Sequence, residues 1–223
     1  MANNQQTFRG YFQNADYADP AAFLQQGEQT RLTADILAIA GRFNNRKDVS
    51  TLREISRWMR SNLSNGYADK FGRTAHQIVN SRLVTGCTDY GLVFAVLARA
   101  KGIPVVFVQS ARIKWVKTVN RTGRQVRPVY GHVFVEPYIK GQWYLVDSMA
   151  GFLYRDYDAD NFCLPCGYYV FAKSIDVWDT GVRNTEENNL NMMRLFTGFD
   201  ISRYQKRVYK RIRLCPRFRW LGF

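Results

Sequence analysis

Cys87, His132 and Asp147 are the residues whose types and order could do chemistry. Cys87 stands in Gly86-Cys87-Thr88-Asp89-Tyr90-Gly91-Leu92, His132 in Gly-His-Val-Phe-Val-Glu, and Asp147 in Trp-Tyr-Leu-Val-Asp. A thiol, an imidazole and a carboxylate in that order are the parts of a cysteine nucleophile system. The thiolate is the attacking form, and a helix N-terminus and a nearby imidazolium both favour it. His132 would take the thiol proton and later deliver it to a leaving amine. Asp147 would orient the imidazole and support its charged form. The backbone N–H of Cys87 would donate to an oxyanion.

These groups need elements to hold them. Leu92, Val93, Val96, Leu97 and Ala100 repeat at helical spacing after Cys87, and Gly102 with Pro104 marks the stop. Val105–Val108 then reads as a buried strand, so the cysteine heads a helix that is followed by a strand. Upstream, Leu32, Ile36, Leu37, Ile39 and Ala40 suggest one helix. Thr51-Leu-Arg-Glu54 reads as a capping box opening a second, and Thr74-Ala-His-Gln77 opens a third. Residues 1–30 read as a loosely ordered arm with a short helix near Ala21–Gln26. Ala111–Tyr130 is basic, contains Gly123 and Pro128, and reads as a long hairpin or flap. Strands are expected at His132–Ile139, Gln142–Asp147 and Tyr168–Phe171, and residues 185–205 read as helical. The expected domain spans 31–200, followed by a basic aromatic tail over 201–223.

Whether the imidazole and carboxylate can meet depends on register. A turn centred on Lys140-Gly141 sets His132 opposite Met149 and Phe134 opposite Asp147. Side chains alternate across a strand, so His132, Phe134, Asp147 and Met149 then share one face. His132 and Asp147 become diagonal neighbours about 7–8 Å apart at the backbone, within reach of a side-chain hydrogen bond. A slip of one residue would send Asp147 to the other face.

Gly-Cys-Thr-Asp-Tyr-Gly-Leu with Leu-Ala-Arg-Ala-Lys-Gly-Ile-Pro resembles the nucleophile helix of the transglutaminase-like superfamily. Gly-His-Val-Phe-Val-Glu-Pro-Tyr-Ile-Lys-Gly-Gln-Trp-Tyr-Leu-Val-Asp-Ser resembles its histidine and aspartate strands, so the likeness covers about residues 50–150. The resemblance implies an α+β papain-like fold, with the nucleophile at a helix N-terminus packed on an antiparallel sheet. It implies acyl transfer or amide cleavage through Cys87, His132 and Asp147. Thr85 stands where many members have Gly, Phe134 where Trp is common, and Ser148 where Pro is common. Thr88 follows the cysteine where the animal calcium-dependent enzymes have Trp, and no acidic calcium loop is present. The departures imply a bacterial or archaeal type rather than the animal crosslinking branch.

The whole chain sets wider bounds. Its 223 residues, 46% apolar and 15% aromatic, suffice for one domain with a substantial core. The apolar run near Tyr90–Ala100 is too short for a membrane span and is broken by Arg99 and Lys101. The opening Met-Ala-Asn-Asn-Gln-Gln lacks the basic and apolar regions of a signal peptide, an expectation of a cytoplasmic location. The formal charge of +14 attracts anionic partners without reporting on fold.

Each reading has a plainer rival. A lone helical cysteine is usually a small buried hydrophobe, and only the two partner motifs lift Cys87 above that. His76, the other histidine, lies on a polar helix position and reads as structural. Asp89 and Glu136 either orient the site or are a helix-terminal charge and a solvated strand position. Cys163-Leu-Pro-Cys166 has the spacing of a redox pair or half a zinc site, but no second such pair exists, and a structural turn is preferred. No cofactor or metal is expected. Arg112, Lys114, Lys117, Arg121, Arg124 and Arg127 either select an acidic substrate or are a solvated hairpin. The tail mixes Arg203 to Arg219 with Tyr204, Tyr209 and Trp220. It reads as a final element with wet charges in preference to a nucleic-acid or anionic-membrane surface. The functional expectation is a cysteine enzyme cleaving or transferring an amide acyl group of a protein or peptide. Its rivals are a non-catalytic module of the same fold that binds an anionic partner, and a basic nucleic-acid or membrane adaptor.

Overall fold

The computed structural model describes residues 15–66, 69–123, 126 and 128–215. Three helices come first: α1 (Ala34–Ala40), α2 (Val49–Asn62) and α3 (Ala75–Ser81). Two short strands, β1 (Ser64–Asn65) and β2 (Leu83–Val84), flank α3 and pair in parallel. Thr74 caps α3 through the expected capping box, with both reciprocal hydrogen bonds formed. The box at Thr51 is not the start of α2. Asp48 caps that helix by accepting from Ser50 N–H at 2.8 Å, while Thr51 is buried and donates to Asn44. The competing aspartate lies one turn earlier and carries the better acceptor.

The next helix, α4 (Cys87–Ala100), is buried on all sides rather than along one face. α1, α2 and α3 pack on it from one side, and strands β3 (Val105–Arg112) and β4 (Gly131–Ile139) from the other. Leu92, Val93, Phe94, Val96 and Leu97 lose all exposure there. Burial of each contributes about 1.5–3 kcal/mol as an upper estimate. Gly102 has φ +70 and Ile103 N–H returns to Ala98 C=O, which ends the helix as expected.

The segment expected as a hairpin or flap holds a helix, α5 (Ile113–Thr122), closed by Gly123 at φ +59. Ile113, Trp115, Val116 and Val119 are buried along one side, whereas Lys114, Lys117 and Arg121 are exposed on the other. The apolar spacing of three and four was the helical signal. Arg124 and Arg127 lie outside the described residues.

The remaining strands are β5 (Gln142–Trp143), β6 (Leu145–Asp147), β7 (Phe152–Tyr154), β8 (Cys163–Leu164), β9 (Tyr168–Ser174) and β10 (Arg211–Arg213). The antiparallel sheet runs β10-β7-β6-β4-β3-β9-β8, with β5 paired to β4. Helix α6 (Thr185–Phe196) packs against α5. This is the mixed α+β architecture expected, with the head of α4 against an antiparallel sheet.

Residues 20–24 form a 3-10 helix capped by Asp19, and Gln29 and Thr30 nearby are wholly buried. Arg99, buried at the end of α4, ties them down by donating to Phe23 C=O, Thr30 Oγ1, Val105 C=O and Ile175 C=O. Among the described residues no helix is long and apolar enough to cross a membrane.

Candidate active site

Cys87 is the first residue of α4, and its position is set by a glycine one turn along. A Cβ on Gly91 would stand 2.6 Å from Val133 Cγ1 and 2.8 Å from Phe107 Cε2. Only glycine lets the helix come this close to β3 and β4. Cys87 and Gly91 share a helix face, so the close approach also carries the thiol onto β4. There it meets His132 and the backbone N–H of Val133.

The hairpin has the expected register. Val135 pairs with Val146, Tyr138 with Trp143 and Ile139 with Gln142. His132 Nε2 lies 2.9 Å from Asp147 Oδ2, and Asp147 Oδ1 accepts from Ala150 N–H at 2.8 Å. Both carboxylate oxygens are thus engaged. His132 also hydrogen-bonds the Cys87 thiol.

Aromatic rings fix the imidazole plane. Phe134 meets it edge-on at 4.8 Å, and Tyr168 from β9 lies over it at 5.3 Å with a 34° tilt. The phenylalanine that replaces the family's common tryptophan therefore still packs against the histidine.

Burial pushes the Cys87 thiol up, but the His132 hydrogen bond and charge, together with the Val133 N–H, outweigh it and hold the thiol below its usual range. Burial likewise opposes the imidazolium, yet Asp147 and Cys87 raise His132 to about 10. Both shifts favour a thiolate–imidazolium pair.

Asp89 is buried in the first turn of α4. Its Oδ2 accepts from Thr85 N–H at 2.7 Å and from Arg73 Nη2 at 2.5 Å. It shapes the turn leading into Cys87, which favours an orienting role over a simple terminal charge. Glu136 is not a solvated strand position. It pairs with Lys173 at 3.0 Å, both side chains fully buried, because β4 is a central strand covered on both faces. His76 sits on α3 with Thr33 and Asn80 on its ring nitrogens, outside the cleft.

A cleft of about 150 Å³ opens beside Cys87 and His132. Gln109, Phe171, Asn188 and Met192 are among its lining residues. Sequence reasoning missed these four. They come from β3, β9 and α6, and no local pattern links them.

Cys163 and Cys166 flank a turn and are free thiols, one buried and one exposed. Cys163 Sγ accepts from Gln205 N–H. Among the described residues no three His, Cys, Asp or Glu side chains group as metal ligands.

Residues 37–148 match the family model of the transglutaminase-like superfamily. The fold is also similar to a crystal structure from Cytophaga hutchinsonii named "Putative Cysteine Protease", with a TM-score of 0.50 and 19% identity. That match covers 73% of this chain and 49% of the other, so the chain spans about half the length of that protein. No curated protein sequence matches the chain.

Proposed function

This chain belongs to the transglutaminase-like superfamily, and from that premise we propose that it is a cysteine-dependent acyltransferase or amidase acting on a peptide amide. One observation carries the reading: a single imidazole, that of His132, lies between the Cys87 thiol and the Asp147 carboxylate.

Chemistry follows from that order. The Cys87 thiolate attacks the amide carbonyl, and the carbonyl π pair moves onto oxygen. The Cys87 N–H, which has no partner four residues back in the helix, is aimed to stabilise that oxyanion. As the C–N bond breaks, the His132 imidazolium delivers its proton to the leaving nitrogen. A thioester remains on Cys87. Water or a primary amine then attacks it, His132 takes the nucleophile's proton, and the thiolate is expelled. Asp147 keeps the ring in one orientation and balances its charge throughout. Hydrolysis and amine transfer share the first half of this sequence.

The cleft is smaller than pockets that enclose drug-sized molecules, so it suits one substrate side chain entering beside the thiol. The exposed Lys114, Lys117 and Arg121 on α5 favour an acidic substrate.

Iodoacetamide labelling tests the reading. Cys87 is expected to react at neutral pH faster than the exposed Cys166, and His132→Ala to abolish the advantage. Labelling of Cys87 no faster than Cys166 would point instead to a non-catalytic binding module. A glutamine peptide, incubated with and without a primary amine, then separates ammonia release with hydrolysis from amine incorporation.

A further inference from the structure

The chain's last described strand stands on the same sheet face as the His132–Asp147 pair. Asp147 pairs with Phe152 across β6 and β7, and Phe152 pairs with Arg213 across β7 and β10. Directly paired residues share a face, so His132, Asp147, Phe152 and Arg213 lie along one surface. Arg211, two residues away, lies on that face too. The guanidinium carbons of Arg211 and Arg213 sit 4.2 and 4.6 Å from the Phe152 ring centroid. Stacking restrains both groups; Arg211 also hydrogen-bonds the Tyr154 hydroxyl, and the remaining N–H edges are left to meet an anion. On the opposite side of His132, Arg112 pairs with Tyr168, the ring that covers the imidazole. None of these three arginines forms an ion pair among the described residues. The acids on this side are already engaged, Asp147 with His132 and Asp156 with Lys210.

We infer that Arg112 on one side and the Arg211–Phe152–Arg213 stack on the other form a docking surface for an acidic polypeptide laid across the strands, with its reacting amide at Cys87. The inference rests on the acyl-transfer reading and specifies its substrate class. Strands are about 4.8 Å apart, so β10 lies about 14 Å from β4, the reach of roughly four extended residues. Carboxylates about four residues from the reacting one on one side, and closer on the other, would meet the arginines. A polypeptide is favoured over a nucleic acid because the surface leads to a nucleophile suited to amides.

The test uses the full chain and two fluorescein-labelled heptapeptides, one glutamine flanked by glutamates or by serines. Anisotropy is expected to show the glutamate peptide binding at least about tenfold more tightly. Arg211→Gln with Arg213→Gln, and separately Arg112→Gln, should each weaken it by roughly three- to tenfold. Arg57→Gln, an exposed change on α2, should leave binding unchanged. The bound glutamate peptide should also slow iodoacetamide labelling of Cys87. Equal loss in Arg57→Gln would reduce the effect to net charge and overturn the inference, as would tight binding that leaves Cys87 unprotected. Displacement by oligouridylate at lower concentration than by unlabelled glutamate peptide would reassign the surface to nucleic acid. An unreactive Cys87 in the free protein would sink the acyl-transfer reading alone, because anisotropy and its arginine dependence still decide the docking surface.

Discussion

Gly91 stands so close to Val133 that any side chain on the glycine would overlap the valine methyl, at 2.6 Å from Cβ to Cγ1. The contact fixes how deeply α4 seats against β4, and with it where Cys87 meets His132. Gly91→Ala is expected to destabilise the fold by about 1–3 kcal/mol through overpacking. It should also slow Cys87 alkylation at neutral pH. Urea melts and iodoacetamide rates measured together check this. Slower alkylation with unchanged stability would contradict the packing argument.

The pH dependence of labelling follows from the paired shifts. Cys87 is held below the ordinary thiol range, so its thiolate should appear at lower pH than that of an ordinary thiol. His132 is raised to about 10, so the imidazolium should persist through neutral pH and be lost only as pH climbs past that value. Labelling should therefore hold a plateau across neutral pH and change again near pH 10. Acyl turnover, which needs the imidazolium proton, should fall there. In Asp147→Asn the support for the imidazolium weakens, so the upper transition moves down.

Asp89 holds two donors at the entrance to α4. Asp89→Ala leaves Thr85 N–H and the partly buried Arg73 guanidinium without this acceptor, at a cost of about 1–3 kcal/mol. Asp89→Asn keeps an acceptor for Thr85 and should lose less. A loss in thermal stability larger for alanine than for asparagine is the expected outcome of calorimetry on both variants.

The Lys173–Glu136 pair is buried with the hydroxyls of Tyr17 and Tyr157 donating to the carboxylate. Lys173→Met strands a buried negative charge and should cost about 3–5 kcal/mol. Adding Glu136→Leu removes that charge and should recover part of the loss, leaving the double variant more stable than Lys173→Met alone. Denaturant midpoints for the two variants give the comparison.

Much of the site was legible because its signals are local. The helix stop at Gly102 and Pro104 and the tight turn at Lys140-Gly141 act over a few residues. The turn sets the register that brings His132 to Asp147, so one dipeptide carried a contact across 15 residues. The basic segment after Arg112 was misread because Gly123 and Pro128 outweighed the spacing of Ile113, Trp115, Val116 and Val119. The capping box at Thr51 failed because two acceptors competed one turn apart, and pattern alone does not rank them.

The sequence by itself determined the chemistry on offer at Cys87, His132 and Asp147, the heading of a helix by the cysteine, and the pairing of the other two. These depend on turn chemistry and on the alternation of side chains along a strand, both written in neighbouring residues. Only the tertiary structure decided that Gly91 carries Cys87 onto the imidazole, that Tyr168 covers its ring, and that α6 closes the cleft. It alone placed Arg211 and Arg213 on the sheet face that carries Asp147. Those contacts join segments far apart in the chain, and each depends on how a helix or strand packs against surfaces that no local pattern encodes.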